Sequence, residues 1–220
     1  MKNKLSFILL LLVSNVLYGQ KVKQVIDKSN REVYFVLKKD QTIKHGEFVK
    51  LYPNKNNVLM AGYYKNGEKD SIWTFFDASG EIIQKYNYSN KKLVFLRDSN
   101  KVTETKYKLI NGTDNPLVTL DRQPVFLGGD DYLFILLAQI IQYPEEAAKN
   151  GKGGKVYISF IVDKNGKATN FNVLNSIGFG LDEEALRAVK SLPDYWIPGV
   201  LNGEFVDIEL IYPISFRNEM

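Results

Sequence analysis

The sequence predicts an α+β protein in two parts: an antiparallel β-meander of hairpin repeats, then a domain whose elements run helix, helix, strand, strand, helix, strand. Three observations carry this. From Glu32 to Phe95, short runs rich in Tyr, Phe and β-branched residues alternate with Gly- and Asn-bearing turns. From Gln123 onward, apolar stretches with helix-start and helix-stop residues alternate with strand-like runs. The closing stretch "GEFVDIELIYPISF" (203–216) places Val206, Ile208, Leu210 and Tyr212 on one face and Asp207 and Glu209 on the other, the pattern of a strand with one buried side.

The first residues read as a leader and not as part of the fold. Lys2 and Lys4 precede an apolar run from Leu5 to Val13, and a polar stretch with small residues follows. That is the layout of a secretory signal peptide over 1–19, with cleavage after Gly19 leaving Gln20 first. The alternative is a retained membrane anchor extending to Tyr18, although the apolar core is shorter than the roughly 20 residues a spanning helix needs. The chain has no Cys, so a secreted form holds no disulfide and its domains rest on their cores. Losing Lys2 and Lys4 lowers the formal charge of +4 by two. The remaining Lys residues are scattered, which argues against nucleic acid as a partner.

The first domain is expected over 20–110. "REVYFVL" (31–37), "HGEFVKLY" (45–52), "VLMAGYY" (58–64), "SIWTFFD" (71–77) and "EIIQKYNY" (81–88) read as strands. "KKDQT", "PNKNN", "KNGEKD" and "ASG" read as the turns between them. The segment repeats itself at an offset of about 25 residues, as stacked hairpins do: "GEFVKLY" is echoed by "SIWTFFD", and "YYKNGEK" by "YNYSNKK". "GYYKNGEKDSIWTFFDASGEI" (62–82) resembles a MORN-type repeat, with Ser71 and Lys91 departing from that pattern. Trp73, Phe75 and the Tyr residues are expected to form the core of the sheet. "VTETKYKLI" (102–110) reads as one more strand, and 111–122 as a linker.

The second domain is expected over 123–220. "GGDDYLFILLAQIIQ" (128–142) is an apolar helix with Asp130 or Asp131 as its N-cap. "YPEEAAKNG" places Pro144 at a first helical position, Glu145 and Glu146 in the first turn and Gly151 past the end. In "KVYISFIVD" (155–163), Val156, Ile158, Phe160 and Val162 share a face. "DKNGK" is a hairpin turn with Gly166 left-handed, and "ATNFNVLNS" returns as a strand. "LDEEALRAVKSL" (181–192) is an amphipathic helix stopped by Pro193.

"VFLGG" (125–129), "YPEEA" (143–147), "GKGGKVYISFIVDKNGK" (151–167), "LDEEALRAV" (181–189), "WIPG" (196–199) and "YPISF" (212–216) stand in the order and spacing of the TonB C-terminal domain, and the stretch most resembles the variant abundant in Bacteroidetes. Leu127 stands where that variant often has Pro. The resemblance implies a three-stranded antiparallel sheet packed by helices, a periplasmic location, and the binding of an extended peptide from an outer-membrane TonB-dependent transporter or other envelope protein. The peptide would add a strand against the last strand. That assigns partner binding to Glu204, Phe205, Val206, Asp207, Ile208, Glu209, Leu210 and Ile211, and the same edge could make a homodimer. Outward Asp207 and Glu209 would discourage unwanted pairing. Tyr143, Pro144, Gly154, Gly166, Leu181, Asp182, Trp196, Pro198 and Gly199 are the structural residues of the motifs. "YWIPG" (195–199) reads as a corner, with Trp196 packed over the sheet.

Three readings of the whole chain stay open. It is a periplasmic interaction protein, an inner-membrane-anchored energy transducer, or a structural module of an envelope assembly. The transducer reading lacks a His in the apolar run and a Pro-rich spacer; the chain's one His is His45. An enzyme is not expected. "GKGGK" lacks the Ser/Thr ending of a phosphate loop and precedes a strand. No Cys nucleophile exists, and a lone His cannot build a multi-His metal site. Neither cofactor nor metal is expected.

Overall fold

The computed structural model describes residues 21–97 and 105–217. The expected signal peptide lies outside them, as does the start of the strand expected over 102–110. The chain divides into two compact units between Asp98 and Ser99.

The first unit is a seven-stranded antiparallel meander: β1 (Val22–Asp27), β2 (Glu32–Leu37), β3 (Asp40–Leu51), β4 (Val58–Lys65), β5 (Glu68–Phe76), β6 (Ile82–Asn87) and β7 (Lys92–Leu96), in spatial order of sequence. The edge strands β1 and β7 go beyond the five strands read from sequence. Each has one Lys and lacks a clean alternation, because an edge strand has wet neighbours on one side. β3 and β5 also start earlier than expected, at Asp40 and Glu68, because polar hairpin ends pair as well as apolar centres do. Lys65 faces Glu68 across a two-residue turn in which Asn66 and Gly67 both have positive φ (52° and 91°). That is the hairpin turn whose twist matches its strands.

Trp73 organises this unit. It is wholly buried, with Phe75, Leu59 and Val36 beside it in the core. A Cβ on Gly62 would lie 2.2 to 2.5 Å from the indole, so β4 must be bare there for the ring to lie across it. The indole N–H donates to the Tyr63 carbonyl at 3.1 Å. Phe48, Tyr64 and Tyr88 surround the indole at centroid distances of 5.3, 5.2 and 5.7 Å. The expected role of the aromatic residues as core holds for Trp73, Phe75 and Tyr52, which are buried, whereas Tyr34, Tyr63, Tyr64, Tyr86 and Tyr88 are half-buried; Phe48, not singled out, is also buried.

The second unit contains β8 (Tyr107–Leu109), β9 (Leu117–Val118), β10 (Val125–Phe126), α1 (Gly129–Ile140), α2 (Glu145–Lys149), β11 (Gly154–Val162), β12 (Ala168–Val173), α3 (Leu181–Lys190), β13 (Trp196–Ile197), β14 (Gly199–Leu201), β15 (Glu204–Val206) and β16 (Ile208–Phe216). Its main sheet has five strands in the order β12-β11-β16-β8-β9, against an expected three. The additional two are β8, expected as the last strand of the first domain, and β9, inside the expected linker. Both belong to this sheet. Arg122, at the end of that linker, bridges to Val200.

Val156, Ile158, Phe160 and Val162 of β11 are buried together on the face covered by α3, as their alternation predicts. Leu181, Ala185, Ala188 and Val189 supply the matching stripe of the helix, and Leu133 and Leu137 that of α1. The N-cap of α1 is Gly128 (φ 94°), not Asp130 or Asp131, which lie in the first turn and favour the helix through its dipole. Pro144 likewise caps α2 in an extended conformation instead of opening it. No helix of the described residues is long and apolar enough to cross a membrane.

Candidate functional site

The stretch expected to bind a partner is not one strand. It breaks at Asp207. Glu204, Phe205 and Val206 form β15, which pairs with β14 across the Asn202–Gly203 turn, both turn residues having positive φ. This small hairpin is separate from the main sheet. Phe205 is 58% exposed on it, with the Arg122 guanidinium 6.0 Å from its ring.

Asp207 itself is occupied twice within the unit. Its carboxylate accepts the Lys164 N–H at 2.7 Å, and its carbonyl accepts the Ile110 N–H at 2.9 Å. Ile208 and Glu209 then pair with Leu109 and Lys108 of β8, and the Lys108 ammonium reaches the Glu209 carboxylate at 3.1 Å. The expected role of Asp207 and Glu209 as outward charges guarding an open edge is therefore corrected. Both carboxylates are engaged by neighbouring residues, and the edge beside them is covered by β8. From sequence, "VTETKYKLI" reads as a strand but nothing in it says which sheet it joins, which is why this cover was missed.

Beyond β8 the edge opens. β16 pairs with β11 without interruption from Ile208↔Val162 to Phe216↔Gly154. Backbone groups alternate sides along a strand. Since the Asp207 carbonyl points toward β8, those of Glu209, Ile211, Pro213 and Ser215 point the same way. Pro213 fits this parity, because a residue without an N–H sits in a paired strand only where that N–H would face outward. Among the described residues, no strand pairs with the outer edge of β16 between Leu210 and Phe216. Ile211 is the prominent side chain there, 58% exposed. Of the eight residues expected at the site, Leu210 and Ile211 lie on this open length; Pro213 and Ser215 were not singled out.

The remaining motif residues build the frame behind the edge. Trp196 packs against Phe126 and Phe160 at centroid distances of 5.1 and 5.3 Å, and its strand β13 pairs with β10. Tyr143 donates its hydroxyl proton to the Lys152 carbonyl and packs edge-on to Phe216 of β16. A Cβ on Gly154 would meet Ile177 at 2.8 Å, and one on Gly199 would crowd Ile208, Leu120 and Pro124 at 3.2 to 3.3 Å, just where Pro198 turns the chain. Pro144 lies against Gly180, the residue ahead of Leu181.

Asp182, in the first turn of α3, is the one buried carboxylate among these residues. It accepts the Ile177 N–H at 2.9 Å, the Gly178 N–H at 3.0 Å and the Ser176 hydroxyl at 2.5 Å. Burial pushes its carboxyl up, but the Ile177, Ser176 and Gly178 donors outweigh it and hold it below the usual carboxylate range. A group held lower in the folded than in the unfolded state contributes its stability above the ordinary carboxylate value and loses it as pH falls through the folded one. Asp182→Ala is expected to cost about 2–3 kcal/mol near neutral pH. The gap from the parent should narrow when urea unfolding is repeated near pH 3.

No group of three or more His, Cys, Asp or Glu among the described residues could hold a metal ion. A comparison with curated proteins returns no match. Among solved structures, the solution structure of the Helicobacter pylori TonB C-terminal domain (its residues 194–285) is 24% identical, covers 40% of this chain and 92% of its own, and has a TM-score of 0.31. "VFLGG" and most of α1 lie ahead of the segment that matches a family model. That segment, residues 140–217, holds β11, β12, α3 and β16, and matches the family described as Gram-negative bacterial TonB protein C-terminal.

Proposed function

We propose that this is an interaction protein of the Gram-negative envelope, located in the periplasm, whose C-terminal unit binds an extended peptide of an outer-membrane transporter by strand addition. The family match of residues 140–217 supports the class. The observation that carries the mode is the outer edge of β16, left unpaired after Glu209 among the described residues while its other edge is fully paired with β11. The peptide would lie beside Leu210 to Phe216, exchanging backbone bonds with Ile211 and Ser215 and receiving only a carbonyl at Pro213. Glu204 to Val206 stand outside this register, and Ile208 and Glu209 are reached only if β8 gives way.

The test is titration of the chain with synthetic N-terminal segments of TonB-dependent receptors, followed by backbone NMR. Shifts should centre on residues 210–216 and their β11 partners. Ser215→Pro removes one outward N–H without touching the β11 ladder. It should weaken binding about tenfold, the equivalent of one good hydrogen bond. A panel of segments that shifts no residue of β16 refutes strand addition.

A further inference from the structure

Among the described residues the main sheet of the C-terminal unit has three open edges, and each is blunted in its own way. On the outer strand β12, Asn170 has φ 54°, and Asn170 and Phe171 together stand opposite Phe160, where the register with β11 shifts. Such a bulge twists an edge away from a flat partner. At the far side of the sheet β9 spans two residues, and so short a strand offers little to pair with. The third edge is the length of β16 beyond β8. It is regular, since its register with β11 runs unbroken from Ile208 to Phe216, and it carries the exposed Ile211. A regular, apolar, unpaired edge is the kind that draws in a second copy of its own chain. The residue that interrupts it is Pro213.

Pro213 stands midway between Leu210 and Phe216, at the centre of the open length. The outward backbone groups belong to Ile211, Pro213 and Ser215: a carbonyl from each, and an N–H from Ile211 and Ser215 alone. Two copies of the chain related by a two-fold axis would pair these edges antiparallel. The register that overlaps the whole open length sets Ile211 against the other copy's Ser215, and Pro213 against Pro213. The axis then passes between two rings. Neither proline has an N–H to give, and each ring stands where the other's carbonyl would meet a hydrogen. Every other register pairs only part of the open length. A second copy cannot bend around the conflict, because its own β16 is held by β11 along its full length. A foreign extended segment meets one proline instead of two. Opposite Pro213 it still donates to the carbonyl, and it is free to bulge there and turn its own carbonyl to water.

We propose that Pro213 bars a second copy of this chain from the β16 edge and reserves that edge for a foreign extended segment. The second half of this statement rests on the reading that the edge takes a peptide; the first half rests on the register and on the missing N–H. The chain keeps its binding edge open by being a poor partner for itself.

The test is Pro213→Val, which puts an N–H back at the centre of the edge in a residue that favours strands. Sedimentation velocity of the full chain over a series of concentrations should show the parent as a monomer and Pro213→Val as a dimer. Association should tighten about a hundredfold, from two restored hydrogen bonds at about tenfold each. Slowed amide exchange at residues 211, 213 and 215 would locate the contact on β16. Adding Ser215→Pro to Pro213→Val should return the chain to a monomer. Trp196 fluorescence verifies that each variant is folded. The variants are then titrated with the same synthetic receptor segments as the parent. Dimerisation of Pro213→Val through β16 with no segment binding either form would refute strand addition from a receptor and leave the bar against self-pairing in place. Segments that bind the parent while Pro213→Val stays monomeric would leave strand addition standing and overturn the role of Pro213. A parent chain that dimerises through β16 overturns it as well.

Discussion

Trp73→Ala should destabilise the N-terminal unit by about 3–5 kcal/mol, the range for removing a large buried aromatic side chain. No part of the indole reaches solvent, and Gly62 exists in the space below it with no side chain to relax into the void. Phe48, Tyr64 and Tyr88 would each lose a ring partner, and the Tyr63 carbonyl its indole donor. Trp73→Phe should cost less, because an aromatic edge would still fill most of the gap. The measurement is urea unfolding followed by far-UV circular dichroism and by tryptophan fluorescence. The chain has two Trp residues, one in each unit. In Trp73→Ala the fluorescence reports Trp196 alone, so the C-terminal transition should stay in place while a component of the dichroism moves to lower urea. Loss of both transitions together would show that the units do not unfold separately.

Gly166→Ala is expected to be the most damaging single methyl in the C-terminal unit. Gly166 has φ +81°, and a Cβ there would come 2.3 Å from the Trp196 carbonyl oxygen. The left-handed conformation alone costs an L-residue about 1–2 kcal/mol, and forcing two backbones apart adds about 1–3 kcal/mol. The obstacle is main chain on both sides, so no side chain can swing away to absorb it. The β11–β12 turn would have to move from β13, and Trp196 would shift from Phe160. Trp196 fluorescence should therefore change at zero denaturant, with the urea midpoint of this unit falling in proportion to about 2–5 kcal/mol. A variant with parent fluorescence and midpoint would mean that the turn does not bear on Trp196 as described.

The parts of the fold that sequence disclosed are those with a strong local signal. Val156, Ile158, Phe160 and Val162 alternate, and all four are buried. Gly166 sits in "DKNGK", a turn written in residue types, and its φ is positive. Pro193 marks the end of α3 within a few residues. What escaped depends on tertiary pairing. β8 spans three residues and β9 two; β8 was expected as a strand but in the first domain, and β9 as linker, and β8 joins this sheet because β16 offers it an edge while β9 joins because β8 does. Asp130 and Asp131 carry the usual cap chemistry, but two glycines ahead of them start the helix two or three residues earlier than either Asp would as a cap. For the candidate site, the last strand could be found by its alternation, whereas the half of it left open could not. That half is defined by where β8 stops. Pro213 was the available clue, since a proline inside a strand implies an unpaired side.

The two sheets also differ in when they can form. In the meander each strand pairs with the one just before it, so hairpins can be completed one at a time as the chain lengthens, with short loops to close. In the C-terminal unit the last strand in sequence, β16, is the middle strand in space, and Gly154 waits for Phe216 before their ladder can close. Until β16 is made, β11 has an unfilled edge, and β8 and β9 have no sheet to join. A ribosome-bound chain is thus a finished N-terminal unit trailing an unassembled one. It is in that interval that the C-terminal residues are most open to chaperones and proteases.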